Sequence, residues 1–150
     1  MINSCGIRID KTDISGNWCS CSKNGDYIEL HIKGNQYKHS SDFMNPTNWN
    51  KFEIKSDTLI QYDKYIFEDS ILVNMAKFQF MKNGELELKY LISDEYWKLK
   101  RINKNIQNLE DNIILKKETI ERSMEAECAD KRTNEERKRD SLDMQIDFEF

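Results

Sequence analysis

Tyr27-Ile28-Glu29-Leu30-His31-Ile32-Lys33-Gly34-Asn35-Gln36-Tyr37-Lys38-His39 reads as two short strands joined by a tight turn. Apolar and polar side chains alternate on both sides of Gly34-Asn35, which is the period of a half-buried strand. Gly and Asn tolerate the positive φ that a two-residue hairpin turn demands. Such a loop pairs Ile32 with Tyr37 and Leu30 with His39. Ile28, Leu30, Ile32, Tyr37 and His39 then share one face of the hairpin, and Tyr27, Glu29, His31 and Lys38 share the other.

Working outward, the same logic finds further hairpins. Phe52-Glu53-Ile54 and Leu59-Ile60-Gln61 flank Ser56-Asp57, and Asn45-Pro46-Thr47-Asn48 before them is a loop. At Lys82-Asn83-Gly84 a two-residue Asn-Gly loop would set Phe80 against Glu87 and break the apolar face. A three-residue loop with Gly84 left-handed pairs Phe80 with Leu86 and Phe78 with Leu88, so the apolar pattern selects it. Ser93-Asp94, read as a two-residue turn, pairs Tyr90 with Trp97 and Leu88 with Leu99. Phe78, Phe80, Leu86, Leu88, Tyr90, Trp97 and Leu99 form one inner face, with Arg101 on it by parity. Adding Trp18 to Ser22, and a start for the Phe78 strand at Ile71 to Ala76, gives about eight short strands in chain order. The expected fold is mainly β: an antiparallel meander barrel over residues 16–101.

At Ile102 the period changes. Ile102, Ile106, Leu109, Ile113, Ile120 and Met124 step by three and four, which predicts an amphipathic helix over 102–128. Residues 129–141 are almost all charged and read as a helix end or loop. Leu142, Met144, Ile146, Phe148 and Phe150 alternate with polar residues, which predicts a half-buried strand over 142–150. With 150 residues, the chain has the length of a single domain, 1–150.

The formal net charge of −4 argues against nonspecific binding to nucleic acid or to an anionic membrane, because both need a basic surface. No apolar run is long enough for a transmembrane segment. Cys5, Cys19, Cys21 and Cys128 do not have the spacing of a zinc or redox pair, so the expectation is free thiols in a reducing, cytoplasmic setting. Ile2-Asn3-Ser4-Cys5 also resembles the end of a bacterial lipoprotein signal with Cys5 as the lipidated residue. That makes a periplasmic or outer-membrane lipoprotein the alternative.

Gly16-Asn17-Trp18 opens the first strand and Arg101 closes the last. This resembles the calycin pattern of lipocalins and fatty-acid-binding proteins. There a Gly-x-Trp begins the barrel, a basic side chain from the last strand lies across the Trp at the closed end, and in lipocalins a helix and a short strand follow. The resemblance implies that Trp18 and Arg101 form a barrel-closing pair, and that Ile28, Leu30, Tyr37, His39, Phe80 and Tyr90 line a ligand pocket. The strand segment is shorter than a typical lipocalin's, so the barrel is expected to be filled by its own side chains.

No catalytic residues, metal ligands or cofactor sites emerge. His31 and His39 fall on opposite faces of one hairpin and cannot share a metal; a satisfied core histidine is the plainer account of His39. No Ser-His-Asp or Cys-His arrangement is recognisable. Leu91 and Tyr96 face outward and need a cover, for which the helix through Ile106, Leu109 and Ile113 is the first candidate. The expected function is therefore non-enzymatic: a small bacterial protein-binding module, such as an immunity or inhibitor protein whose acidic surface meets a toxin or another basic-surfaced protein. The alternative is a lipocalin-like carrier of a small hydrophobic ligand. Homodimerisation through the C-terminal helix or strand is a further expectation.

Overall fold

The computed structural model describes residues 13–64, 71–93 and 95–146. Eight antiparallel strands close into a barrel in chain order: β1 (Gly16–Cys21), β2 (Tyr27–Lys33), β3 (Gln36–Ser41), β4 (Asn50–Lys55), β5 (Thr58–Lys64), β6 (Ile71–Phe80), β7 (Leu86–Tyr90) and β8 (Tyr96–Arg101). Helices α1 (Asn112–Ala126) and α2 (Asn134–Ile146) follow. β1 meets β8 through Trp18 opposite Arg101 and Cys19 opposite Lys100.

Three hairpins follow their turn chemistry. Ile32 pairs with Tyr37 and Leu30 with His39 across a turn in which Gly34 takes φ 60°. Ile54 pairs with Leu59 around Ser56-Asp57. Phe80 pairs with Leu86, and Met81 donates its N–H to the Glu85 carbonyl, which leaves Lys82-Asn83-Gly84 as a three-residue loop with Gly84 at φ 83°. The last hairpin departs from the expected register. Leu88 pairs with Trp97 and Leu86 with Leu99, and the Tyr90 N–H bonds the Glu95 carbonyl. The connection thus spans 91–94, of which Asp94 lies outside the described residues. A slip of two leaves every side chain on its own face, so alternation is blind to it. The longer loop is held against β6 by the Leu91 N–H on the Met75 carbonyl.

The inner faces meet in a core of Trp18, Leu30, Ile32, Phe52, Leu59, Leu86, Leu88 and Leu99, with Phe78, Phe80, Tyr90 and Trp97 half-buried against it. At the closed end the Trp18 indole N–H donates to the Ile14 carbonyl at 3.0 Å. The Arg101 guanidinium lies 4.3 Å from the indole centroid, a cation–π contact, and donates to the Ser15 carbonyl. Glycine suits position 16 because its φ is 134°, and a Cβ there, 2.5 Å from an Arg101 nitrogen, would also displace the guanidinium.

The helical region differs from the expected single helix over 102–128. Residues 102–111 are irregular, and α1 starts only where Asp111 caps it, accepting from the N–H groups of Ile113 and Ile114. The expected apolar stripe does not pack as a unit: Ile106 is buried, but Ile113 is 84% exposed and Met124 74%. Leu115, Thr119 and Arg122 face the barrel instead. The reason lies in the wall they cover. The outer face of β2 and β3 presents Glu29, His31 and Ser40, and buried polar groups need polar partners, so the helix turns its Thr–Arg face inward. Leu91 and Tyr96 lie away from α1 and stay exposed.

The expected final strand is corrected as well. Residues 142–146 continue α2, and 147–150 lie outside the described residues. Thr133 and Glu136 form a reciprocal capping box that starts this helix, the Thr133 N–H bonding the Glu136 carboxylate at 2.8 Å and the Glu136 N–H the Thr133 hydroxyl at 3.2 Å. A closed barrel also has no free edge to accept a ninth strand. Leu142 is 60% exposed. Leu142→Ser is therefore expected to change stability by no more than about 0.5 kcal/mol; a large drop in the melting temperature would restore the buried-strand reading.

The expectation of free thiols is corrected too: Cys21 and Cys128 form a disulfide with Cα atoms 5.5 Å apart, and only Cys19 among the described cysteines is unpaired. Cys21 ends the outward row of β1 and meets the chain as it leaves α1. That chain lies tightly on the β1–β2 connection. The Lys131 N–H bonds the Lys23 carbonyl, and a Cβ on Gly25 would come within 2.9 Å of the Asp130 nitrogen. Cys5 lies outside the described residues. No helix among the described residues is long and apolar enough to cross a membrane.

Candidate functional site

The end of the barrel opposite the Trp18–Arg101 closure carries the β1–β2, β3–β4 and β7–β8 connections. A cavity of about 620 Å³ opens there, walled by all three connections and floored by Ile28, His39 and Trp97. The barrel is therefore filled only in its closed half. One cause is the pairing of β3 with β4, which extends over Gln36 and Tyr37 alone. Beyond Tyr37 the strands part, and Thr47 fills in for β4: its N–H bonds the His39 carbonyl and its hydroxyl accepts from the His39 N–H.

The floor combines aromatic surface with neutral polarity. The His39 ring meets Tyr37 edge-on at 5.4 Å and Trp97 at 6.1 Å, and Trp97 meets Tyr90 at 6.2 Å. Burial pushes the His39 pKa down to about 4, against the pull of the Asp63 carboxylate, so the ring is neutral near pH 7. Beside it runs a partly buried hydrogen-bond network. The Tyr37 hydroxyl and the Asn74 amide donate to Asp63, and the Tyr90 hydroxyl donates to Gln61 at 2.8 Å. Burial drives the Tyr37 and Tyr90 phenols far above their usual range, and they act here as donors.

The lip is set by α1. Lys116 reaches over the β3–β4 connection and donates to the carbonyls of Ser41, Asp42 and Met44, each at 2.9 Å. An ammonium has three protons, and here each has an acceptor. Phe43 and Met44 are thereby presented at the mouth, 56% and 59% exposed. Lys116→Met retains the aliphatic stem and removes the three bonds. It is expected to speed amide hydrogen exchange in the β3–β4 connection several-fold while leaving the barrel folded; unchanged exchange would mean that the lip holds its shape unaided.

Outside the barrel, between α1 and the β2–β3 wall, lies a buried polar cluster. The Glu29 carboxylate is fully buried and engages four side chains through five contacts. Arg122 donates to both oxygens at 2.6 and 3.0 Å, Tyr27 donates at 3.0 Å, Thr119 at 3.1 Å, and His31 Nε2 lies 3.1 Å away. Burial alone would raise the Glu29 pKa. Hydrogen bonds from His31 and Arg122, with the Arg122 charge, outweigh that and hold it at about 2. The carboxylate requires a proton on His31 Nε2. On its other side the His31 Nδ1 lies 2.9 Å from the Asn17 side-chain oxygen. Such a cluster resembles catalytic machinery in its residue types, but Glu29 and His31 have no exposed surface. It fastens α1, and through Lys116 the lip, to the wall.

The pocket residues named from the sequence divide between the two halves. Ile28 and His39 line the cavity. Tyr37 and Tyr90 lie behind its floor, Leu30 belongs to the filled core, and Phe80 sits at the closed end beside Trp18 at 6.2 Å. Alternation along β2 and β3 marked Ile28 and His39, whereas Phe43, Met44 and Glu95 lie in connections that carry no periodic signal. His31 lies outside the wall and His39 inside, and no cluster of three or more metal-ligating side chains occurs among the described residues. Compared with protein-family models, curated proteins and solved structures, the chain finds no match.

Proposed function

We propose that the protein holds a small molecule with an apolar body in the open half of its barrel, as a carrier or sequestering protein rather than an enzyme. The observation that carries this reading is the cavity. Its volume of about 620 Å³ falls inside the range of about 300–1,000 Å³ typical of ligand sites, and its floor is aromatic and aliphatic with one neutral polar group. The Gly16-Asn17-Trp18 and Arg101 arrangement supports a calycin-like reading of the barrel, in which ligands enter at the end away from that closure. The neutral apolar fluorophore N-phenyl-1-naphthylamine is expected to bind saturably at one site per chain. Ile28→Trp, which fills the floor, should abolish that binding without unfolding the barrel. Fluorescence that never saturates, or binding indifferent to Ile28→Trp, would overturn the proposal.

A second reading, docking on another protein as an immunity or inhibitor protein would, is favoured by the apolar side chains left open at the same end. Ile92 is 79% exposed, and Phe43, Met44, Leu91 and Tyr96 are all more than two-fifths exposed. The Cys21–Cys128 disulfide supports an oxidising compartment, and with it the lipoprotein alternative over a cytoplasmic location.

A further inference from the structure

We infer that the ligand of the barrel cavity is an organic cation, a protonated amine carried on an apolar body. This rests on the ligand-binding reading above and adds the charge of the ligand to it. The argument is the distribution of charge along the inward rows of the wall. Parity from the buried core places Asp26 one inward step above Ile28, Glu95 one step above Trp97, and Asp63 two steps above Leu59. Asp26 and Glu95 line the cavity. Asp63 lies behind the floor, joined to Tyr37. Among the described residues, the one cation on an inward strand position is Arg101, and it is stacked on Trp18 at the opposite end. Lys23, the one cationic side chain on the cavity wall, is paired with Glu136. His39 stays neutral near pH 7 and supplies no positive charge.

An anionic head group entering this cavity meets carboxylates and, among the described residues that line it, no unpaired cation. An ammonium meets Glu95 and Asp26 at the mouth, and the Trp97 face offers a cation–π partner below them. Attraction to a protein of net charge −4 would be general, so the inference depends on these two carboxylates and not on the overall charge.

Three probes with one alkyl chain separate the head groups: decylamine, decanol and decanoate. Each is titrated at pH 7 below its aggregation concentration, with tryptophan fluorescence and calorimetry as readouts. Decylamine is expected to bind about tenfold or more tighter than decanoate, with decanol between them. Glu95→Gln and Asp26→Asn should each weaken decylamine several-fold and leave decanol unchanged, whereas Glu121→Gln, on the exposed side of α1, should change neither. Decanoate binding as tightly as decylamine overturns the inference, as does decylamine binding that survives both cavity substitutions. If none of the three binds while N-phenyl-1-naphthylamine does, the cation inference alone fails. If the fluorophore fails too, the ligand-binding reading falls with it.

Discussion

Arg122→Ala is expected to destabilise the protein by about 3–5 kcal/mol, the usual cost of leaving a buried charge without its partner. Arg122 is the only permanent cation among the groups on Glu29, and it binds both carboxylate oxygens. Without it, a fully buried carboxylate retains only Tyr27, Thr119 and His31. Arg122→Lys keeps a charge but loses the two-pronged geometry, so it should fall between wild type and alanine. Replacing both partners, as Glu29→Gln with Arg122→Met, removes the charge together with its counter-charge and should recover much of the loss. Denaturant unfolding of the four proteins gives the comparison. If Arg122→Ala costs under 1 kcal/mol, the pair is not the fastening that the geometry implies.

The same carboxylate gives the protein an acid limit. The folded-state pKa of Glu29, about 2, lies below the unfolded value, so its contribution is complete above pH 4.5 and disappears as pH falls towards 2. His39 acts in the same direction over a higher window. Its folded pKa of about 4 lies below the ordinary histidine value of 6.5, so the unfolded chain takes up the proton first and stability falls from pH 6.5 towards 4. A stability profile should therefore decline in two stages on acidification. His39→Gln should remove the upper stage and leave the lower one.

Loss of the Cys21–Cys128 bridge is the second large effect. It closes a loop across a sequence separation of 107, and removing such a cross-link typically costs about 2–5 kcal/mol through the added freedom of the unfolded chain. Cys21→Ser with Cys128→Ser, or reduction with dithiothreitol, should lower the melting temperature by roughly 2–4 °C for each kcal/mol lost. Cys19→Ser should change little, because Cys19 is unpaired. Equal melting curves with and without reductant would mean that the bridge does not form.

What could be read in advance follows from the range of the interactions. The hairpins β2–β3, β4–β5 and β6–β7 are set by turns and alternation within about a dozen residues, and their registers are legible. The two-residue slip between β7 and β8 is not, because it leaves the alternation intact. Trp18 and Arg101 are 83 positions apart but share a barrel geometry whose order the hairpins imply. By contrast, Glu29 with Arg122 and Cys21 with Cys128 lie 93 and 107 positions apart, with no local pattern to join them. The face α1 buries was hidden for a related reason. Apolar spacing points to Ile113, Ile120 and Met124, but the surface to be covered is polar and selects Thr119 and Arg122. At the C-terminus, Leu142 and Ile146 fit a helix as well as a strand, and the capping box at Thr133 outweighs the alternation.

The most direct test is what the barrel contains in its own host. Protein purified under native conditions should carry, by native mass spectrometry, one organic molecule per chain, and the Ile28→Trp protein from the same host should carry none. Empty wild-type protein that co-purifies with a stoichiometric protein partner would contradict the account and establish the docking reading in its place.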